Sequence, residues 1–209
     1  MTCSITKKQD CKLKKKLRKL FTAHAVFTTF CIDSLLQSSP NLHVNATLLL
    51  QNQKDIGNNI KYIIGESNSA QLIDLLTKYI CAVATAVTVV RSNDKLKIND
   101  AVKNIFTNSQ DVSKFLFSLN PSKLPYETVL NEFNEHDQYI IGMTILRSQN
   151  QVDKEIMIYD LNYKHMLMFS DMLHNALQVQ NDISLNFLHI IIIIIIIIFL
   201  YLLYNYIIN

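Results

Sequence analysis

Histidine and carboxylate side chains are the groups in this chain best able to hold a cation or move a proton, and few of them sit on helix faces that would turn inward. Two candidate sets stand out. A ligand-binding set comprises His24, Asp55, Asn58, His136 and Asp160, and a metal set comprises His24, His136 and Asp171. Such residues on four different helices, converging inside a bundle, can hold a divalent metal or polarise a small ligand. Asp160 and Asp171 share a helix face but lie about three turns apart, roughly 16 Å along the axis, so one ion takes one or the other. The Glu-x-x-His pairs of a di-iron bundle are missing, and the nearest run is Asp171-Met172-Leu173-His174. Glu132 and His136 stand four apart, a spacing that equally suits a solvated pair.

Each candidate also has a purely structural reading. His24 falls on the apolar face of its helix, where a histidine is commonly a hydrogen-bonded core residue. Asp55-Ile56-Gly57-Asn58 can bond backbone groups where a helix bends, with Gly57 permitting a close approach. Met157, Met166, Met168 and Met172 read as packing filler. No G-x-S-x-G, H-E-x-x-H or Walker loop occurs, so no catalytic residue is assigned and no cofactor is expected, a divalent metal being the alternative. The four cysteines form no CxxC pair or zinc spacing, and Cys31 and Cys81 read as buried thiols.

The elements that must position these groups are helices. With only 3 Gly and 3 Pro, the chain lacks the tight turns an all-β fold needs. Leu17, Leu20, Phe21, His24, Phe27 and Cys31 recur at three- and four-residue steps, placing a first helix over about 12–37. Further helices are predicted over about 45–63, closed by Gly65, then 69–90, 99–119, 125–147 and 152–179. Short connections between long helices favour antiparallel neighbours. The expected fold is all-α, an antiparallel bundle of about six helices over residues 17–180. A basic flexible arm over 1–16 precedes it and a transmembrane helix over 183–209 follows it.

That last segment is the strongest feature of the sequence. From Leu188 to Ile208 there is no Asp, Glu, Lys or Arg, and residues 190–198 are all isoleucine. About 20 apolar residues span the roughly 30 Å of a bilayer core, and lipid forces the backbone to satisfy its own hydrogen bonds as a helix. Tyr201, Tyr204 and Tyr206 suit the far interface. The amino-terminal stretch is polar and lysine-rich, without a signal-peptide core. The expectation is a single-pass, tail-anchored protein with its bundle in the cytosol.

Charge is segregated as well. Residues 1–19 hold Lys7, Lys8, Lys12, Lys14, Lys15, Lys16, Arg18 and Lys19 against Asp10 alone, so the rest of the chain is net acidic. Such a run suits anionic lipid or plain solvation. Nucleic acid is not expected as a partner, because the acidic body has no basic, aromatic-studded stripe.

The segment Leu49-Leu50-Gln51-Asn52-Gln53-Lys54-Asp55-Ile56-Gly57-Asn58, running on to Gly65, resembles a family of small uncharacterised helical proteins of bacilli and large DNA viruses with an LLQNPxDIGN-type pattern. The likeness extends to Leu20-Phe21-Thr22-Ala23-His24, to Glu135-His136, and to Ile158-Tyr159-Asp160 through Ser170-Asp171-Met172-Leu173. It implies a helical bundle in which His24, Asp55, His136 and Asp160 or Asp171 occupy the family's polar positions. This chain departs from the pattern with Thr29 for a usual Arg and Tyr79 for a usual His. Some family members carry an acetylglutamate-kinase label, but that chemistry needs Gly-rich nucleotide loops and this chain has none. The functional expectation is a non-enzymatic adaptor or virion-membrane component in a host or virion membrane. A tethered metal- or small-ligand-binding bundle is the alternative.

Overall fold

A computed structural model describes residues 7–90, 92 and 94–208, with the side chains of residues 7, 179–190 and 198–208 left aside. Every element among the described residues is helical. They are α1 (Lys7–Gln37), α2 (Leu42–Ile64), α3 (Glu66–Val90), α4 (Lys95–Leu119), α5 (Tyr126–Ser148) and α6 (Val152–Ile208). Each helix packs on the next in sequence, and α1 against α6 closes the ring. Arg18 meets Asp171, while Asp10 meets His174. These pairs set α1 and α6 antiparallel.

Local chemistry ends the helices much as their residues suggest. Gly65 takes φ 86° and its N–H returns to the Lys61 carbonyl, stopping α2. Asp94 caps α4 by accepting from the Leu96 and Lys97 N–H groups at 3.1 and 3.3 Å. Asn120 ends α4, and its Nδ2 donates to the Ala176 carbonyl at 2.9 Å, tying the α4–α5 connection to α6. Pro125 stands just ahead of α5.

Three expectations need correction. Residues 7–16 are no separate flexible arm: α1 already begins at Lys7, because Leu13 and Leu17 are buried and extend its apolar face toward the N-terminus. Residues 1–6, with Cys3, lie outside the described residues. The sixth bundle helix and the isoleucine run are not two helices but one, since no Gly or Pro interrupts α6. Cys31 is buried, its thiol pushed up to about 11 by burial, but Cys81 lies on the exposed side of α3.

Most of the expected transmembrane segment, 183–209, lies outside the residues whose side chains are described. Among the described residues, the helix long and apolar enough to cross a membrane is α3. Packing explains its apolarity: α3 touches α1, α2, α4 and α5 and buries Leu72, Leu76, Tyr79, Val83 and Val87 among them. Its hydrophobic residues serve the core. Within the isoleucine run, the described side chains at 191–197 are exposed.

At Gly57, α2 and α3 approach closely. A Cβ there would stand 2.4 Å from Ile73 Cγ1 and 3.2 Å from the Ser69 carbonyl, while Ser69 Oγ donates to the Gly57 carbonyl at 3.0 Å. Gly57→Ala is therefore expected to destabilise the protein by about 1–3 kcal/mol through overpacking, outweighing alanine's better helix propensity. Denaturant unfolding measures it, and an unchanged or raised midpoint would contradict the close approach.

Candidate functional site

The core of this bundle is not uniformly apolar. A hydrogen-bonded chain crosses it through four helices: Gln53 on α2, His24 on α1, His136 on α5 and Asn162 on α6. Gln53 Nε2 lies 3.1 Å from His24 Nδ1, His24 Nε2 lies 3.3 Å from His136 Nε2, and His136 Nδ1 lies 2.8 Å from Asn162 Oδ1. All four side chains are buried.

Donor counting fixes its direction. With the Gln53 and Asn162 amides oriented as in the structure, Gln53 Nε2 shares its two hydrogens among the Leu49 carbonyl at 2.9 Å, His24 Nδ1 at 3.1 Å and Asn52 Oδ1 at 3.3 Å, and an amide nitrogen can only donate. His24 Nδ1 therefore accepts, so its proton sits on Nε2 and is donated to His136. The second ring then carries its proton on Nδ1 and gives it to the Asn162 oxygen. The ring nitrogens are all partnered with both rings neutral, although Asn162 Nδ2 is left without an acceptor, and the environment of the rings favours that state. Burial lowers the His24 pKa to about 4, against the opposing hydrogen bond of Asn52. Burial and the neighbouring His24 hold His136 well below the ordinary histidine range.

A second polar cluster adjoins the first. Tyr79 OH donates to Asp137 Oδ1 at 2.6 Å and Ser109 Oγ to Oδ2 at 2.7 Å. Asp137 is wholly buried, and burial pushes its carboxyl up to about 6 although both hydrogen bonds pull the other way. His165, nearly parallel to His136, lies 3.0 Å from the Glu132 carbonyl through Nε2, and its Nδ1 faces the Glu132 and Glu135 carboxylates at 3.6 and 3.8 Å. A cavity of about 30 Å³ lies against His24, Gln53, Glu132 and His136, walled by Phe21, Phe133 and Phe169. That volume suits a water-sized molecule, far below the several hundred Å³ of a metabolite pocket.

Of the candidate residues, His24 and His136 do meet, and the others do not join them. Asp55 accepts from Gln51 on its own helix, and Asn58 is exposed. Asp160 is exposed and paired with Lys164, while Asp171 is held by Arg18 and Lys14 at the α1–α6 seam. The reason is helical phase: Asn52, Gln53, Ile56, Gly57 and Ile60 form the buried face of α2, which turns Asp55 and Asn58 away. Among the described residues, no three His, Cys, Asp or Glu side chains gather within reach of one metal ion. A metal between the two rings would also need both Nε2 lone pairs, whereas Gln53 keeps the His24 proton on Nε2. The residues present do not fit a metal. Gln53, Asp137 and Asn162 escaped the sequence reading, and the signal was their phase: each lies on the inward face of an amphipathic helix. No protein-family model, curated protein or solved structure matches this chain.

Two outcomes are expected. Because folding lowers both histidine pKa values, the unfolded chain takes up protons below about pH 6.5 that the fold refuses, and stability falls as pH drops toward about 4. His24 alone accounts for on the order of 3 kcal/mol. Asp137 works with opposite sign: its raised carboxyl gives stability that is full below about pH 4 and lost as pH rises through about 6. Asp137→Asn is thus expected to steepen the acid loss seen in thermal melts between pH 6.5 and 4, and a profile parallel to wild type would refute the compensation. Tyr79→Phe leaves Asp137 with one donor and is expected to cost about 1–3 kcal/mol and raise the carboxyl further. Carboxyl NMR titration reads the shift, and a lowered value would contradict the assignment.

Proposed function

We propose that this protein is a single-pass membrane protein, tail-anchored by its C-terminal helix. In this reading its bundle serves as a non-enzymatic adaptor or virion-membrane component on the cytosolic side of a host or virion membrane. The observation that carries the reading is the continuity of α6 from the packed core through the isoleucine run to Ile208, with Ile191 to Ile197 exposed. In water such a run is an aggregation hazard, because isoleucine favours strands and no charge guards it. In lipid the same residues lower the free energy of the chain, and the helix they form satisfies every backbone group. Beyond Leu177 some thirty residues of α6 project about 45 Å, enough to cross the hydrocarbon core and its near interface.

The adaptor role draws on the opposite end. There the C-terminal turns of α1, α3 and α5 and the first turns of α4 border a cleft of about 750 Å³ whose one charged lining residue, among the described residues, is Arg147. Val87, Val90, Ile98 and Ile141 form much of its wall. It points away from the proposed membrane, where a protein partner has access, whereas the core cavity has room only for a water-sized molecule. The kinship with helical proteins of bacilli and large DNA viruses belongs to the same proposal. In its support, the LLQNPxDIGN-like segment supplies the inward Asn52, Gln53, Ile56 and Gly57 of α2.

Alkaline carbonate extraction of membranes from expressing cells tests the tether. The full chain is expected in the pellet, and a variant lacking residues 183–209 in the supernatant. Release of the intact protein, or retention of the truncated one, refutes the proposal.

A further inference from the structure

The basic residues of α1 do not act as one patch. Lys14 and Arg18 turn toward α6, where Arg18 grips both oxygens of Asp171 and Lys14 lies 3.7 Å away. Lys12, Lys15, Lys16 and Lys19 follow the i, i+3, i+4, i+7 spacing of a different helix face. Among the described residues, the ammonium group of none of these four makes an ion pair or a hydrogen bond. Like charges at such spacing oppose the helix, and no nearby carboxylate relieves them. The fold therefore gains nothing from this stripe.

The four lysines instead line one wall of a groove of about 700 Å³ between α1 and α2, with Asn59 and Tyr62 on the other wall. Asn59 Nδ2 is a buried donor without a hydrogen-bond partner in the protein, which is costly unless something else accepts from it. The groove thus offers four ammonium groups and an unsatisfied amide donor on two helices. It also has a definite place: because α1 runs antiparallel to α6, this half of α1 lies at the end of the bundle from which α6 continues toward the isoleucine run.

We infer that the α1–α2 groove binds a multiply phosphorylated anion, the headgroup of a phosphoinositide-type lipid in the membrane that α6 enters. Anion binding stands on the groove itself, and the lipid as its source rests on the tether proposed above. About 15 residues of helix, roughly 22 Å, separate the level of Lys12 from Leu188. The headgroup layer and the reach of lysine shorten this gap, and a tilted α6 closes it. Docked there, the bundle is held at two points and its orientation on the membrane is set.

The test uses the full chain in nonionic detergent micelles doped with phosphatidylinositol bisphosphate, with soluble inositol trisphosphate and a DNA oligonucleotide as competing probes. Replacing Lys12, Lys15, Lys16 and Lys19 together by Gln is expected to weaken lipid binding at least about tenfold. The same charge change at Lys95, Lys97, Lys103 and Lys154 is expected to alter it less than about twofold, since those residues, on α4 and the first turn of α6, do not line the groove. Asn59→Asp places a carboxylate opposite the lysines and is expected to weaken binding severalfold with the helix content intact, which guards against misfolding of the quadruple variant. Equal losses in the two quadruple variants reduce the effect to net charge and overturn the groove. Undiminished binding by Asn59→Asp overturns it as well. Soluble inositol trisphosphate binding as tightly as the doped micelles, or DNA binding more tightly, overturns the lipid assignment. Failure of the tether appears separately, as release of the otherwise unaltered chain by carbonate.

Discussion

Four helices of this bundle meet through the hydrogen-bonded chain from Gln53 through His24 and His136 to Asn162, and the arrangement of the core depends on it. An amide or imidazole moved from water into an apolar interior without a partner costs several kcal/mol, so the links stand or fall together. A hydrophobic core alone tolerates sliding, because one leucine replaces another at little cost. A directional chain does not. Displacing α1 by one residue would carry His24 away from both neighbours and leave Gln53 and His136 unsatisfied. The chain thus sets the register of α1, α2, α5 and α6. Tyr79, Ser109 and Asp137 do the same for α3, α4 and α5.

That role also bounds what the centre can do chemically. The rings are neutral, each nitrogen is committed to a partner, and the adjoining space is water-sized. Proton affinity in this cluster is expressed as stability: acid charges the histidines in the unfolded chain first, while Asp137 offsets part of the loss. The interior organises the molecule, and in the proposed reading its external work falls to the surfaces.

Those surfaces divide along the long axis. One end carries the departing α6 with the lysine-lined groove beside it, and the other carries the apolar cleft around Val87, Val90 and Ile141. The Arg18–Asp171 and Asp10–His174 pairs keep α1 alongside α6 and so hold the lysine stripe at the α6 end. In the proposed reading this polarity separates membrane contact from partner contact.

Composition and periodicity determined that the chain is helical, where five of its helices lie to within a few residues, and that residues 188–208 carry no charged side chain, because these are local properties of the chain. The same local signals placed Gly65 at a helix end and marked Gly57 as a point of close approach. They did not determine the partners of the polar residues. Asp55, Asn58, Asp160 and Asp171 match the chosen pattern no worse than His24 and His136. Only the rotation of each helix about its axis sent the first four to the surface or a seam and the last two together. That rotation is fixed by packing against several other helices at once, information that no single segment contains. The same holds for the basic run of α1, where one sequence of like charges was divided by the position of Asp171, more than 150 residues away, into lysines that serve the fold and lysines left to the solvent.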